Sequence, residues 1–226
     1  MRLTRRLLFM TALGWLASFG LIASSGNVVT FDRAQLGKTP PGWTVAMTNE
    51  GAAPRWEVRQ DPSAPTPPYV LAQLSADPRQ DRFPLAIFDG VSLRDGDISV
   101  RLKPVSGREE QSGGVVFRYR DEKHYYLARA NARGDDVVLS KVENGRLIPI
   151  KPHGARAPDF GVKHDIQPNS WHILKVSVRG DRFQVYLNHR RILQGQDSTF
   201  QGPGKVGLWT IADSITYFDD FRVYPK

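Results

Sequence analysis

The chain of 226 residues contains no cysteine. Thiol catalysis, thiolate metal sites and disulfide staples are therefore excluded, and a packed core has to hold the fold unaided. Long segments of helical periodicity are missing after residue 25. There is no Gly-x-Ser-x-Gly elbow and no phosphate-cradling Gly-Lys-Ser/Thr loop. The histidines (His124, His153, His164, His172 and His189) show neither His-x-His nor His-Glu-x-x-His spacing, so no sequence-local zinc site is supported. Of these, only His164 has a neighbouring acid, Asp165, in a long loop, a pair worth locating in space. The basic residues form no concentrated stripe, which argues against nucleic acid.

What the chain does have begins at its start. Arg2, Arg5 and Arg6 precede the apolar run Leu7 to Ala23, and Ala23-Ser24-Ser25 supplies small residues where a leader would be cut. This is a signal-peptide pattern with cleavage after Ser25, and an uncleaved N-terminal anchor is the alternative. Residues 26 to 226 would then be one exported domain. No cysteine follows the run, so a lipid-anchored lipoprotein is excluded. The formal charge is +8, and the three leading arginines account for the difference from +5 in the remainder. A mildly basic exported protein fits an envelope rich in anionic lipid or polysaccharide.

The rest of the sequence alternates apolar and polar residues in short runs separated by Gly, Pro, Asp and Asn. Runs at Trp43 to Met47, Arg55 to Arg59, Tyr69 to Leu74, Phe83 to Phe88, Asp97 to Lys103 and Gly114 to Arg120 read as strands. So do His124 to Asn131, Asp136 to Val142, His172 to Arg179, Arg182 to Asn188, Lys205 to Ile211 and Thr216 to Tyr224. Such a series predicts an all-β sandwich or barrel. Asn144-Gly145 and Gly180-Asp181 read as hairpin turns, and Asp95-Gly96 as a turn rather than a calcium loop. Asp61 to Pro68 and Gly154 to Asn169 read as surface loops, and long loops on a rigid scaffold are where function tends to sit.

Three segments point the same way: Gly113 to Asn131 (GGVVFRYRDEKHYYLARAN), Trp171 to Asn188, and Gly204 to Thr210 followed by Phe218-Asp219-Asp220-Phe221. Together they resemble the concanavalin A-like lectin/glucanase superfamily, and within it the laminin-G-like and 3-keto-disaccharide hydrolase domains. The resemblance implies a jelly-roll sandwich of two antiparallel sheets, one of them concave, with carbohydrate bound or hydrolysed on the concave face. It also implies a structural calcium at Asp219 on the last strand, with Asp32 contributing from a neighbouring strand. The alternative for Asp219 is a turn cap or a pairing with arginine. Strict alternation would point Asp219 and Asp220 to opposite faces, which argues against a catalytic dyad.

A hairpin at residues 120 to 124 with Tyr119 opposite Tyr125 and Phe117 opposite Leu127 puts Arg118 and Tyr126 together on the outer face, with Arg120 near His124. An aromatic ring beside forked arginine donors suits a sugar. Trp209 faces outward if Val206 and Leu208 are core, and Arg129 and Asn131 flank the same hairpin. A core tryptophan and an exposed Arg–Tyr stack are the plainer alternatives. No Glu-x-Asp-x-Glu spacing occurs, and Glu109 and Glu110 read as a solvated loop. The expected function is an exported, monomeric, carbohydrate-binding jelly roll. The alternatives are a glycoside hydrolase acting on a modified (3-keto) sugar and a laminin-G-like protein-interaction module.

Overall fold

The computed structural model describes residues 26–31, 35–155 and 160–226. The proposed leader and Asp32 lie outside the described residues. Among the described residues there is no helix, so none is long and apolar enough to cross a membrane.

Sixteen strands form two antiparallel sheets. The first sheet contains β1 (Asn27–Val29), β3 (Trp56–Gln60), β4 (Tyr69–Gln73), β6 (Gly96–Ser106), β12 (His172–Arg179), β13 (Arg182–Leu187), β14 (Arg190–Gln196) and β16 (Ile215–Pro225). Its order is β14-β13-β12-β6-β16-β4-β3, with β1 beside β16. The second sheet contains β2 (Trp43–Thr48), β5 (Phe83–Leu93), β7 (Ser112–Asp121), β8 (His124–Asn131), β9 (Asp136–Glu143), β10 (Arg146–Pro149), β11 (Gly161–Lys163) and β15 (Gly204–Trp209). Its order is β10-β9-β8-β7-β15-β5-β2, with β11 beside β9. All twelve runs read from the sequence are strands, and β1, β10, β11 and β14 are additional. The predicted hairpin turns are present, with Asn144 (φ 52°), Gly145 (φ 76°) and Gly180 (φ 56°) in the left-handed region. Arg94 and Asp95, by contrast, carry the chain from one sheet to the other.

The main core lies between the sheets. It takes alternate residues of each strand, among them Val100, Leu102, Val176 and Phe183 from the first sheet and Val115, Phe117, Val206 and Leu208 from the second. A second apolar cluster occupies the other face of the second sheet: Leu85, Ile87, Val116, Tyr125, Leu127 and Trp209 all lie there, essentially inaccessible.

A sheet face this apolar needs a cover, and the sheet provides its own. Thr48 closes β2, Tyr125 lies on β8, and three strands separate them. Four strand spacings would hold them about 19 Å apart in a flat sheet. Instead Thr48 Oγ1 lies 2.8 Å from the Tyr125 hydroxyl and donates to the Glu122 carbonyl at 2.5 Å. Asn49, next in the chain, donates to the carbonyls of Asp81 and of Gly145 in the β9–β10 turn. Diagonally opposite corners therefore meet, the twist of each strand pair having accumulated into a curl. Arg82, fully buried, fastens the loops above by donating to the carbonyls of Ala52 and Ala212 and to the Ser75 hydroxyl.

The closing strand departs from alternation. A bulge between Asp219 and Arg222, with Asp220 at φ 50°, lets Phe218 and Phe221 both enter the core. Asp219 and Asp220 then act on one target instead of opposite faces. Asp219 Oδ2 accepts the Thr66 amide at 2.8 Å, and Asp220 Oδ1 accepts the Thr66 hydroxyl at 3.0 Å. Asp220 also pairs with Arg101 and Arg222. The two carboxylates thus dock the proline-rich loop onto the sheet. Beside them Lys103 binds Asp61 and Ser63 of the same loop, its ammonium 5.3 Å from the Trp171 ring centroid and 5.4 Å from that of Tyr217.

Candidate functional site

The β7–β8 hairpin differs in register from the sequence expectation. Val116 faces Leu127 and Phe117 faces Tyr126, and a bulge follows, so that Asp121 faces His124. Tyr126 therefore stacks on Phe117 in the main core, ring centroids 5.3 Å apart, rather than lying outside. Its hydroxyl donates to Asp197 at 2.6 Å and accepts the Phe200 amide. Burial and the Asp197 carboxylate raise its pKa. Arg118 sits in the bulge at φ 48° with only 1% of its surface exposed. Its guanidinium donates to the carbonyls of Arg94, Phe200 and Gly180, tying three connections together at the edge of the sandwich. Burial lowers its pKa.

Four of the predicted residues do converge, but on another residue of the protein, Phe200. Arg120 lies over the Phe200 ring at 5.0 Å, His124 meets it edge-on, and Tyr126 and Arg118 bond its backbone. Arg129 and Asn131 are elsewhere on the sheet: Arg129 pairs with Asp136 at 3.0 Å, and Asn131 donates to Glu110. Trp209 faces outward from the sandwich as the alternation predicts, yet it is fully buried, tilted against Phe83 at 5.6 Å beneath the curl. It offers no surface to a ligand.

Among the described residues no group of three or more His, Asp or Glu is placed to hold a metal ion. Asp219 holds Thr66 as described above. Asp165 accepts from Gln167 and makes no bond to His164. The Glu109–Glu110 loop is anchored rather than loose: Asp213 accepts the backbone amides of Arg108, Glu109 and Glu110. Burial raises the Asp213 pKa, but these amides outweigh it and leave the carboxyl lowered.

Where the corners of the second sheet meet, a cleft of about 1070 Å³ remains. One wall carries Asn49, Glu50, Gln80 and Asp81 from the ends of β2 and the β4–β5 connection. The other carries Glu122 and Lys123 of the β7–β8 turn and Asn144 and Arg146 of the β9–β10 turn. Met47 and Leu147 give it apolar surface, and the buried Phe83 lies at its base. The side chains of Glu50, Asp81, Glu122, Lys123 and Arg146 make no hydrogen bond or ion pair with the described residues. Their charges face solvent across the cleft, next to a ring, Phe83, that rests on Trp209. His124 borders the site, its Nδ1 bonded to Asp121 and its Nε2 3.2 Å from Asn144 Oδ1. Tyr119, beside Tyr125 nearby, has its pKa pushed up to about 12 by burial and then by the charges of Glu122 and Asp121. None of the cleft's charged groups stood out in the sequence. They come from separate turns and loops, and only the curl assembles them.

Two antiparallel sheets stacked on one core, the second of them curled, form a jelly-roll sandwich, consistent with the fold of the concanavalin A-like superfamily. No protein-family model matches the chain. A levanase of Bacillus subtilis (strain 168) is 32% identical over 127 residues, 56% of this chain. The chain spans only 16% of that protein's length. The carbohydrate-binding module CBM66 from Bacillus subtilis superposes with a TM-score of 0.60 at 25% identity, over 80% of this chain and 93% of that one. Domain 4 of AbnA, a GH43 extracellular arabinanase from Geobacillus stearothermophilus solved with arabinotriose, superposes with a TM-score of 0.52 over 88% of this chain and 93% of that domain. At 14% identity the latter shares the fold alone.

Proposed function

We propose that the domain binds a neutral polysaccharide in the cleft at the seam of the curled sheet. The observation that carries this reading is the cleft itself: three carboxylates (Glu50, Asp81 and Glu122) and two cations (Lys123 and Arg146), unengaged by the described residues, surround an apolar surface. A sugar ring has an apolar face and a hydroxyl rim. Carboxylates accept from hydroxyl pairs, Lys123 and Arg146 donate to ring and hydroxyl oxygens, and the half-buried Met47 and Leu147 receive the apolar face. The similarity to a carbohydrate-binding module supports the same class. Because the curated relative is a levanase, levan is the first polymer to try.

Titration calorimetry with levan, arabinan and mixed-linkage glucan oligosaccharides tests the reading. Wild type should bind one of them. Arg146→Ala should weaken that binding by about tenfold or more, the worth of a charge-assisted hydrogen bond. Failure of wild type to bind any neutral glycan would overturn it. Hydrolysis is the second reading, favoured only by the three carboxylates Glu50, Asp81 and Glu122 around one cleft. Release of reducing ends, or turnover of a 3-keto-glycoside, would establish it. We place the protein outside the cytoplasm, because the arginine-led apolar run at residues 2 to 23 supports export. N-terminal sequencing of the exported form checks this.

A further inference from the structure

The outer face of the first sheet is built differently from the cleft. On β12 the residues alternate buried and half-exposed, so Ile173, Lys175, Ser177 and Arg179 face outward. The pairing registers continue one row across five strands: Arg222 faces Ser99, Ser99 faces Lys175, Lys175 faces Tyr186, and Tyr186 faces Arg191. Cations thus recur at every second strand, about 10 Å apart. The Lys175 ammonium lies 5.4 Å from the Tyr186 ring centroid, so the row interleaves charge with aromatic surface.

The charges on this face do not cancel. Asp97 is shared by Lys175 and Arg179, and Asp220 by Arg101 and Arg222. Asp219 is turned toward the Thr66 amide. Arg191 is exposed and has no acidic partner among the described residues. Counting the cations of the row with the partners of Asp97 and Asp220, five cations stand against three carboxylates, and the cations keep their outer parts in solvent: Lys175 and Arg222 have 39% and 42% of their side chains exposed.

We propose that this face is a second binding surface, for an extended anionic polysaccharide lying across the strands along the row Arg222–Lys175–Arg191. A line of separated cations with a ring between two of them matches a linear chain bearing carboxylates at intervals. A diffuse lipid surface would have no use for the register. The surface is independent of the cleft, which belongs to the other sheet.

Affinity electrophoresis of the full chain through gels containing polygalacturonate tests the proposal, with dextran gels and phosphatidylserine vesicle sedimentation as comparisons. The wild type should be retarded by polygalacturonate at low salt and released at high salt, because exposed charges are screened. Lys175→Gln/Arg191→Gln should weaken this about fivefold or more. Arg191→Glu, at a side chain that pairs with no other charged group among the described residues, should weaken it further while leaving the melting temperature unchanged. Arg146→Ala in the cleft should leave it intact, so that loss of neutral-glycan binding and loss of this surface are separately visible. Polygalacturonate binding unchanged in both row variants would overturn the proposal. So would equal retardation by dextran, or binding of the vesicles in the absence of polygalacturonate binding.

Discussion

The hydroxyl of Tyr125 and the hydroxyl of Thr48 are 2.8 Å apart, although three strands of the same sheet stand between theirs. This contact records the curl that turns one sheet face into a filled interior and leaves a cleft at the seam. Tyr125→Phe removes the contact but keeps the ring. It should destabilise the domain by about 1 kcal/mol, since Thr48 still donates to Glu122. Thermal melting should then shift down by about 2–4 °C for a domain of this size.

Trp209 belongs to the same interior. Trp209→Ala should cost about 3–5 kcal/mol of folding stability in denaturant titration. Any glycan binding it loses should return in the fraction that is folded. Loss of binding at unchanged stability would show that the indole is reachable from outside.

The first sheet has its own acid-sensitive element. Burial raises the pKa of Asp97, but hydrogen bonds from Lys175, Ser177 and Arg179 outweigh this and bring it to about 2. A depressed carboxyl contributes stability above its unfolded value of 3.8 and loses it as pH falls toward about 2. That contribution is on the order of 2 kcal/mol. Stability measured by urea titration should fall between about pH 4 and pH 2, and Asp97→Asn should flatten that fall.

Asp219 and Asp220 dock the proline-rich loop through Thr66. Asp219→Asn should speed hydrogen exchange at the Thr66 amide. Asp220→Asn should loosen the loop further, because Arg101 and Arg222 lose their shared partner. Exchange at Thr66 unchanged in both variants would show that the loop is held by Lys103 and Asp61 alone.

The strands were legible because their apolar residues recur at every second position, and every predicted run is a strand. β14 (RRILQGQ) was not, since its polar residues and its bulge opposite Val185 and Tyr186 hide the period. The direction of Trp209 was legible; its burial was not, because accumulated twist across several strands leaves no mark on a single strand. Arg118, Tyr126, Asp219 and Asp220 were misplaced for a shared reason. Each lies at or just beyond a bulge, and one extra residue reverses the faces that alternation assigns. The cleft was beyond reach, since Glu50, Asp81, Glu122 and Arg146 meet only after the corners close.

Mapping amide chemical shifts of the labelled domain during titration with levan oligosaccharides, or with whichever neutral glycan binds, tests the placement of the site most directly. Changes should centre on residues 49 to 50, 80 to 83, 122 to 124 and 144 to 147. Changes centred instead on Arg118, Tyr126, Arg129 and Asn131, with the seam unmoved, would contradict it.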